Sequence, residues 1–507
     1  MPAGRKRRPT GAGSRTLWQE SRARLLPAAS PLPILGGVRT LIDRLRLRLF
    51  EPVDIASLVV VRFLFGVILV WEIRRYFSYD WITKYWVEPE VHFLYHGFTW
   101  VHPLPPAWMH VLMVVLGVLA VMIAVGFLYR VAAVLFFIGF TYTFLLEQTR
   151  YLNHFYLVIL VSLILVFIPA HRTFSVDAVL RPRLRCEQAP TWALWLMRVQ
   201  IGIPYFYGGI AKLHEDWLLG APARVFMNEH SDRPLIGPWL TTEPGVWTIA
   251  YGGLLLDLLV VPFLLWRRTR LVAYCFAVLF HLTNAAIFNI GMFPWFMIAA
   301  TTIFFEPDWP RRWGILDRPA PPAEGEPPPA PVPPPRPGLA GQYVAMGILG
   351  IYLTFQCLYP LRHYLYRGNV NWTEEGHRFA WHMILRRKRA KGIFVISHPP
   401  TGKAWTVDPE ARMPEWMASK MLASPDMILQ FAHYLAAEKA AQDYPGVTVR
   451  ARIEATLNGR PPQTFIDPDV DLASELRTLR EAPWIVPLTT DLQPYMTLWG
   501  LPTEDVE

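Results

Sequence analysis

The sequence predicts a polytopic α-helical membrane protein of about nine spans with a C-terminal β-rich α+β soluble domain. Three observations predict it: long apolar blocks recur up to about residue 360, they stop abruptly after Leu361, and a strand-like alternation follows between Val447 and Leu457. Hydrophobic residues make up 53% of the 507 and charged residues 18%. Apolar residues gathered in long runs, instead of amphipathic stripes, are membrane composition.

A crossing helix needs ~20 mostly apolar residues to span ~30 Å of hydrocarbon. Blocks of that kind begin near Ile55, Trp108, Val131, His154, Trp192, Val246, Leu271, Ile290 and Gln342. Residues 1–50 form a basic segment rich in arginine, proline and small residues, without the short apolar run of a cleaved signal, so the first span reads as an uncleaved anchor. With Arg5, Lys6, Arg7, Arg8, Arg44, Arg46 and Arg48 in the cytoplasm, the cytoplasmic connections carry Arg130, the cluster Arg172 to Arg185, the run Arg267 to Arg270, and Arg311 with Arg312. All are basic, as the positive-inside rule requires. The same rule accounts for the net charge of +9, so nucleic acid is not expected as a partner.

Residues 51–318 then hold the first eight spans, 319–340 a proline-rich cytoplasmic linker, 341–360 the last span, and 361–507 an extracytoplasmic β-rich domain. The linker stretch PAPPAEGEPPPAPVPPPRPG supplies no packed core and reads as extended chain. Two outer loops remain, 77–107 and 213–245. The first is rich in Trp, Tyr, His and Pro and reads either as an interfacial aromatic belt or as the roof of a cavity. Cys186, Cys275 and Cys357 are scattered and suggest no disulfide framework. In the last domain Val447, Val449, Ala451, Ile453, Ala455 and Leu457 alternate with polar residues and run into Asn458-Gly459, a tight-turn signal, while 426–441 reads as a helix.

Ionisable groups inside a span cost roughly 2.5 kcal/mol or more at its centre, so each needs a reason. Arg62, Arg198 and Asp257 read as a structural ion-pair cluster. His281 and Asn284 share one helix face at i and i+3, which interhelical hydrogen bonding also explains. Asn153 and His154 begin the fourth span and Lys212 ends the fifth, so the orientation brings all three to the outer membrane face. Lys212 reads either as a snorkelling lysine or as a base whose small, apolar approach, Tyr205-Phe-Tyr-Gly-Gly-Ile-Ala-Lys212, desolvates the amine and favours its neutral form. No zinc spacing, P-loop, nucleophile elbow or dinucleotide fingerprint is present, so no metal is expected.

These residues carry a family resemblance. The ordered strings are Val61-Arg62-Phe-Leu-Phe-Gly66, Leu152-Asn153-His154, Gly209-Ile-Ala-Lys212-Leu-His-Glu-Asp216-Trp217, Gly252-Gly-Leu-Leu-Leu-Asp257, Phe280-His281-Leu-Thr-Asn284, Ile290-Gly-Met-Phe293, Pro307-Asp-Trp-Pro310, Asn371-Trp-Thr373 and Phe465-Ile-Asp-Pro468. Each is weak alone, but their order over about 400 residues resembles the vitamin K-dependent γ-glutamyl carboxylase, within the horizontally transferred transmembrane domain group. The resemblance implies γ-carboxylation of peptide glutamate by reduced vitamin K (phylloquinol or menaquinol), O2 and CO2, with the quinol becoming its 2,3-epoxide. No side chain of near-neutral pKa removes the γ-hydrogen of glutamate usefully, whereas a lysine amine deprotonates a hydroquinone, whose oxygenation yields a far stronger base shielded from water.

By the same resemblance Lys212 is the base, Asn153 and His154 are catalytic, His281 and Asn284 bind the cofactor, and Trp381, His377 and Arg386 meet the substrate. His377 and Arg386 stand where the family has a tyrosine and a histidine, and Arg386 suits a carboxylate. Ala211 replaces the first lysine of the animal enzymes' pair. The implied partners are a glutamate-containing peptide, membrane lipid and a quinone reductase that recycles the epoxide. The lack of extracytoplasmic cysteines favours a bacterial inner membrane, although Asn371-Trp-Thr373 would be a glycosylation site in the endoplasmic reticulum. Two alternatives stay open: a quinol epoxidase acting on another acceptor, and a membrane transporter or binding protein, which lacks the internal repeat usual for such folds.

Overall fold

In a computed structural model, residues 33–232, 237–288, 290–317 and 337–492 are described. Most of the expected linker, 319–340, lies outside them. The chain divides into two units, Met1–Leu49 and Phe50–Glu507. The described part of the first is one helix, α1 (Pro33–Leu49), with Arg46 and Arg48 in its last turn.

In the second unit helices cover all nine apolar blocks: α2 (Ala56–Ser78), α3 (Pro106–Val125), α4 (Tyr129–Leu145), α5 (Asn153–Phe167), α6 (Thr191–Ile210), α7 (Glu243–Leu265), α8 (Arg270–Ile287), α9 (Phe293–Thr301) and α10 (Leu339–Leu358). Among the described residues, however, five of them, α2, α3, α7, α8 and α10, are long and apolar enough to cross a membrane by length and composition. Of the nine expected spans, five are thus supported by this criterion. At 15 residues α5 reaches only about 22 Å, short of a hydrocarbon core. Helix α6 has 20 residues, but Arg198, Gln200 and Pro204 dilute its apolarity.

Packing runs in sequence from α2 through α5 and from α6 through α9, and contacts of α9 with α2 and of α5 with α6 join the two groups. On the α2 side, strand β1 (Pro52–Asp54) pairs antiparallel with β2 (Gln188–Pro190) just before α6. The expected cluster of Arg62, Arg198 and Asp257 does not form. Arg62 donates to the carbonyls of Ala170 and Phe174, at 3.1 and 2.7 Å. Arg198 donates to those of Ile303 and Phe305, at 2.9 and 2.8 Å. Backbone carbonyls near helix ends thus solvate these guanidiniums by hydrogen bonding, and Asp257 takes another partner.

The C-terminal region is built on an antiparallel sheet of order β4-β3-β5-β6, with β3 (Lys388–His398), β4 (Lys403–Val407), β5 (Thr448–Leu457) and β6 (Gln463–Thr464). The alternating residues of β5 turn into the core, with Val449, Ala451, Ile453, Ala455 and Leu457 all buried. Helices α11 (Glu415–Leu422) and α12 (Pro425–Ala441) cover that face. Asn458 and Gly459 both adopt positive φ, at 53° and 81°, as a tight reversal demands. The aromatic loop is shared between the two parts: Ile82, Tyr85, Trp86, Tyr95 and Val101 pack in the core of the membrane helices, while Val91 and Phe93 are buried in the core of this C-terminal domain.

One buried clamp fastens the two parts. Asp216, just beyond α6, accepts hydrogen bonds from Arg460 Nη1 and Nη2 at 2.6 and 2.7 Å and from Asn458 Nδ2 at 2.7 Å. Burial pushes this carboxyl up, but the Arg460 and Asn458 donors outweigh it and hold it below the ordinary range. Its contribution is therefore complete at neutral pH and is lost only as pH falls through that lowered value. Asp216→Ala strands the Arg460 guanidinium, and a loss of about 3–5 kcal/mol is expected, read as a lower thermal midpoint in detergent; an unchanged midpoint would dismiss the clamp.

Candidate active site

Helix α6 packs on α7 through two glycines. A Cβ on Gly209 would lie 2.6 Å from Leu258 Cδ2 and 3.1 Å from the Leu258 nitrogen, and one on Gly208 would lie 3.2 Å from Asp257 Oδ2. Only the missing side chains let the backbones approach so closely, as at small-residue interfaces between membrane helices. The approach sets Lys212 Nζ 2.6 Å from Asp257 Oδ2, with a second bond to the Gly208 carbonyl at 3.2 Å. Both partners are buried, and the Trp217 ring lies 5.3 Å from the ammonium. Lys212 does not snorkel to a surface.

A cavity of about 460 Å³ opens above this pair, within the range of small-molecule sites. Its membrane-side wall is largely apolar, from Phe280, Phe288, Phe293 and Met297. Two imidazoles interrupt it. His154 stacks on Phe293, their centroids 5.7 Å apart, and His281 meets the edge of the same ring at 6.0 Å. His281 Nε2 hydrogen-bonds Tyr205 Oη at 2.7 Å, while its buried Nδ1 has no partner among the described residues. The interhelical bond and the cavity position thus coexist. Asn284, one turn on, also lines the cavity.

The opposite wall belongs to the segment 376–386, between the last membrane helix and β3. His377, His382 and Arg386 line the cavity from it. Arg386 Nη2 binds Glu374 at 2.6 Å, and its Nη1 is buried without a partner among the described residues. Burial raises the Glu374 carboxyl, but Arg386 and Lys388 outweigh it and keep it ionised. Burial, with the Arg386 charge, drives His377 well below the usual imidazole range, and burial with neighbouring His363 does the same for His382. Both rings are therefore neutral at physiological pH. Neither ring nitrogen of His382, nor His377 Nδ1, has a partner among the described residues.

Of the residues singled out in the sequence, Asn153, His154, Lys212, His281, Asn284, His377 and Arg386 share this cavity. Trp381 does not line it. Its indole is 1% exposed and packs on Tyr156, centroids 5.0 Å apart, so it braces the wall from behind. Asn153 is bonded at both ends, its Nδ2 donating to the His382 carbonyl and its Oδ1 accepting from Tyr151 Oη, both at 2.8 Å. Sequence reasoning missed His382, which only its spacing of five from His377 marks, and the pairing of Lys212 with Asp257, although each had been noted as an intramembrane charge. Asn371 is 2% exposed and faces His214, so its glycosylation motif is closed in the folded chain. Among the described residues no group of three His, Cys, Asp or Glu side chains could hold a metal ion.

Fold and site define a polytopic membrane protein whose cavity is shared between its helices and a mixed α+β domain. Residues 50–309 match the family model of the HTTM domain, and residues 341–491 match that of the lumenal domain of vitamin K-dependent gamma-carboxylase. The chain belongs to the HTTM domain family and is a gamma-carboxylase-type protein. No solved structure matches it.

Gly209→Leu drives a side chain into Leu258, so α6 and α7 must part and the Lys212–Asp257 bond must break. Overpacking of this kind costs about 1–3 kcal/mol, and a lower thermal midpoint in detergent is expected. Retention of the parental midpoint would mean that the helices do not approach as described.

Proposed function

We propose that the chain is a vitamin K-dependent γ-glutamyl carboxylase that couples γ-carboxylation of a peptide glutamate to epoxidation of vitamin K hydroquinone, with Lys212 at the base position. One observation carries the reading. A single cavity has a buried amine and two imidazoles on its membrane side and, on the side of the gamma-carboxylase-type domain, imidazole and guanidinium nitrogens unpaired among the described residues. A flat apolar ring system with polar oxygens at its edge fits the phenylalanine walls, the free His281 Nδ1 and the amine. The residues that would hold it are Lys212, His154, His281 and Asn284.

Bound vitamin K hydroquinone, with oxygen, supplies a base strong enough to take the γ-hydrogen of glutamate. The chain's own task is to move the first proton. Because Asp257 Oδ2 lies 2.6 Å from Nζ, the amine does not act alone. The pair takes up a proton as a unit: Nζ accepts at the cavity while passing a proton on to Oδ2, which leaves an ammonium beside a neutral carboxyl. His154 and His281 supply hydrogen-bonding nitrogens where negative charge develops on oxygen. Asn153, already bonded at both ends, acts on the shape of the cavity. Arg386 Nη1 and the neutral His377 and His382 are suited to receive the carboxylate of a glutamate-containing peptide. The apolar walls from Phe280, Phe288, Phe293 and Met297 limit the access of water that would quench the strong base.

The same reading has the N-terminus in the cytoplasm, the C-terminal domain outside a bacterial inner membrane, and a separate quinone reductase returning the epoxide to hydroquinone. One observation favours a second reading. The Arg386 guanidinium is already half engaged by Glu374, which suits epoxidation serving an acceptor other than glutamate.

Purified protein given reduced vitamin K, O2, labelled bicarbonate and a glutamate-rich peptide is expected to form epoxide and peptide-bound label together. Lys212→Ala should lower both about 10²- to 10⁴-fold. Epoxide without label would favour the second reading, and neither product would dismiss both. Arg386→Ala should raise the peptide KM on the order of 10- to 100-fold with little change in hydroquinone KM, since it removes a charge-assisted contact to one substrate only. An equal rise in both would detach Arg386 from the acceptor.

A further inference from the structure

The segment 376–386 is an improbable piece of backbone. Phe379, Trp381 and Ile384 have φ of 62°, 61° and 52°, the left-handed region that non-glycine residues avoid. Three such residues within six persist only where their surroundings hold them. Two contacts from the start of α5 do so. The Phe379 amide donates to Tyr151 Oη at 2.6 Å, Tyr151 Oη donates to Asn153 Oδ1 at 2.8 Å, and Asn153 Nδ2 donates to the His382 carbonyl at 2.8 Å.

This is a closed relay from strap to helix and back to strap. The phenol uses its proton and a lone pair, and the amide uses both its ends, so each bond polarises the next. Apolar packing seconds it, with Phe379 and Trp381 both against the Tyr156 ring at centroid distances of 4.9 and 5.0 Å. What the relay holds in register is chemically distinct from the rest of the wall. His382 is 7% exposed, and both its ring nitrogens are unpartnered among the described residues while the side chain lines the cavity. Its own carbonyl is the relay's last acceptor.

We infer that Tyr151 and Asn153 are positioning residues that register the strap over the cavity, so that His382, with His377 and Arg386, forms a carboxylate-binding wall facing Lys212. The inference rests on the carboxylase reading above and deepens it. Tyr151 and Asn153 then govern how much of the oxygenation reaction is used on the acceptor, and His382 joins the acceptor site. Loosening the relay moves the acceptor away from the strong base without removing any group that meets the hydroquinone. Oxygenation continues, and the base is quenched by a proton from elsewhere.

Tyr151→Phe keeps the ring and removes the relay's central oxygen. The ratio of epoxide to carboxylated peptide is expected to rise about three- to tenfold, with a higher peptide KM and an unchanged hydroquinone KM. His382→Ala should raise the peptide KM likewise. Parallel loss of both products, or an unchanged ratio, overturns the inference. Hydrogen exchange of the 376–386 amides in substrate-free, detergent-solubilised protein tests the relay independently of activity. Faster exchange in Tyr151→Phe than in the parent supports the tether, and equal exchange overturns it. If the parent protein makes no epoxide, the carboxylase reading fails on that result alone, while the exchange measurement still decides whether the tether exists.

Discussion

A buried ammonium held 2.6 Å from a buried carboxylate constrains everything around it. Neither charge is tolerable there alone, and the two meet only because α6 presents bare glycine backbone where α7 crosses it. The pair fixes the depth of the cavity floor and the direction in which the amine faces. It also requires cover: the C-terminal domain must close over the site for the pair to remain in a low-dielectric setting. Helix contact, charge pair and domain docking thus form one physical problem with one solution.

That solution divides the cavity into unlike halves. The membrane half is apolar, with few polar atoms, most of them already bonded: Tyr205 to His281, Lys212 to Asp257. The half contributed by the strap is rich in nitrogen donors and acceptors and short of partners. A flat apolar molecule and a carboxylate would therefore sort themselves by solvation alone, each to its own wall. The neutrality of His377 and His382 follows from burial beside guanidinium groups, which lets the strap carry several nitrogens without accumulating charge that a membrane-edge site would resist.

Much of this was legible in the sequence, for identifiable reasons. The apolar blocks located all nine helices because hydrocarbon imposes length and composition directly, and β5 was readable because alternation of period two has no other common cause. Five of the nine meet the length and composition of a crossing helix, while α4, α5 and α9 are apolar yet short, and where a helix ends is a property that composition does not reveal. The convergence of Asn153, His154 and Lys212 was legible because the first two begin α5 and the third lies just past the end of α6. The partner of Lys212 was not legible: Asp257 is 45 positions away, and which charge meets which depends on helix rotation set by glycine packing. The place of Trp381 outside the cavity lining was not legible, because a tryptophan next to candidate residues looks the same in sequence whether it faces a cavity or packs behind its wall.

The burial of Val91 and Phe93 within the C-terminal core bears on how the chain is made. Val91 and Phe93, in a loop that follows the first membrane helix, emerge hundreds of residues before the strands that will enclose them, while the neighbouring Tyr85, Trp86 and Tyr95 hold that loop to the membrane helices. The C-terminal domain, arriving last, finds part of its own interior already anchored. It assembles around a fixed guest from the opposite end of the polypeptide and is not a module that could be exchanged freely between membrane scaffolds: any partner scaffold would have to carry the same guest at the same place.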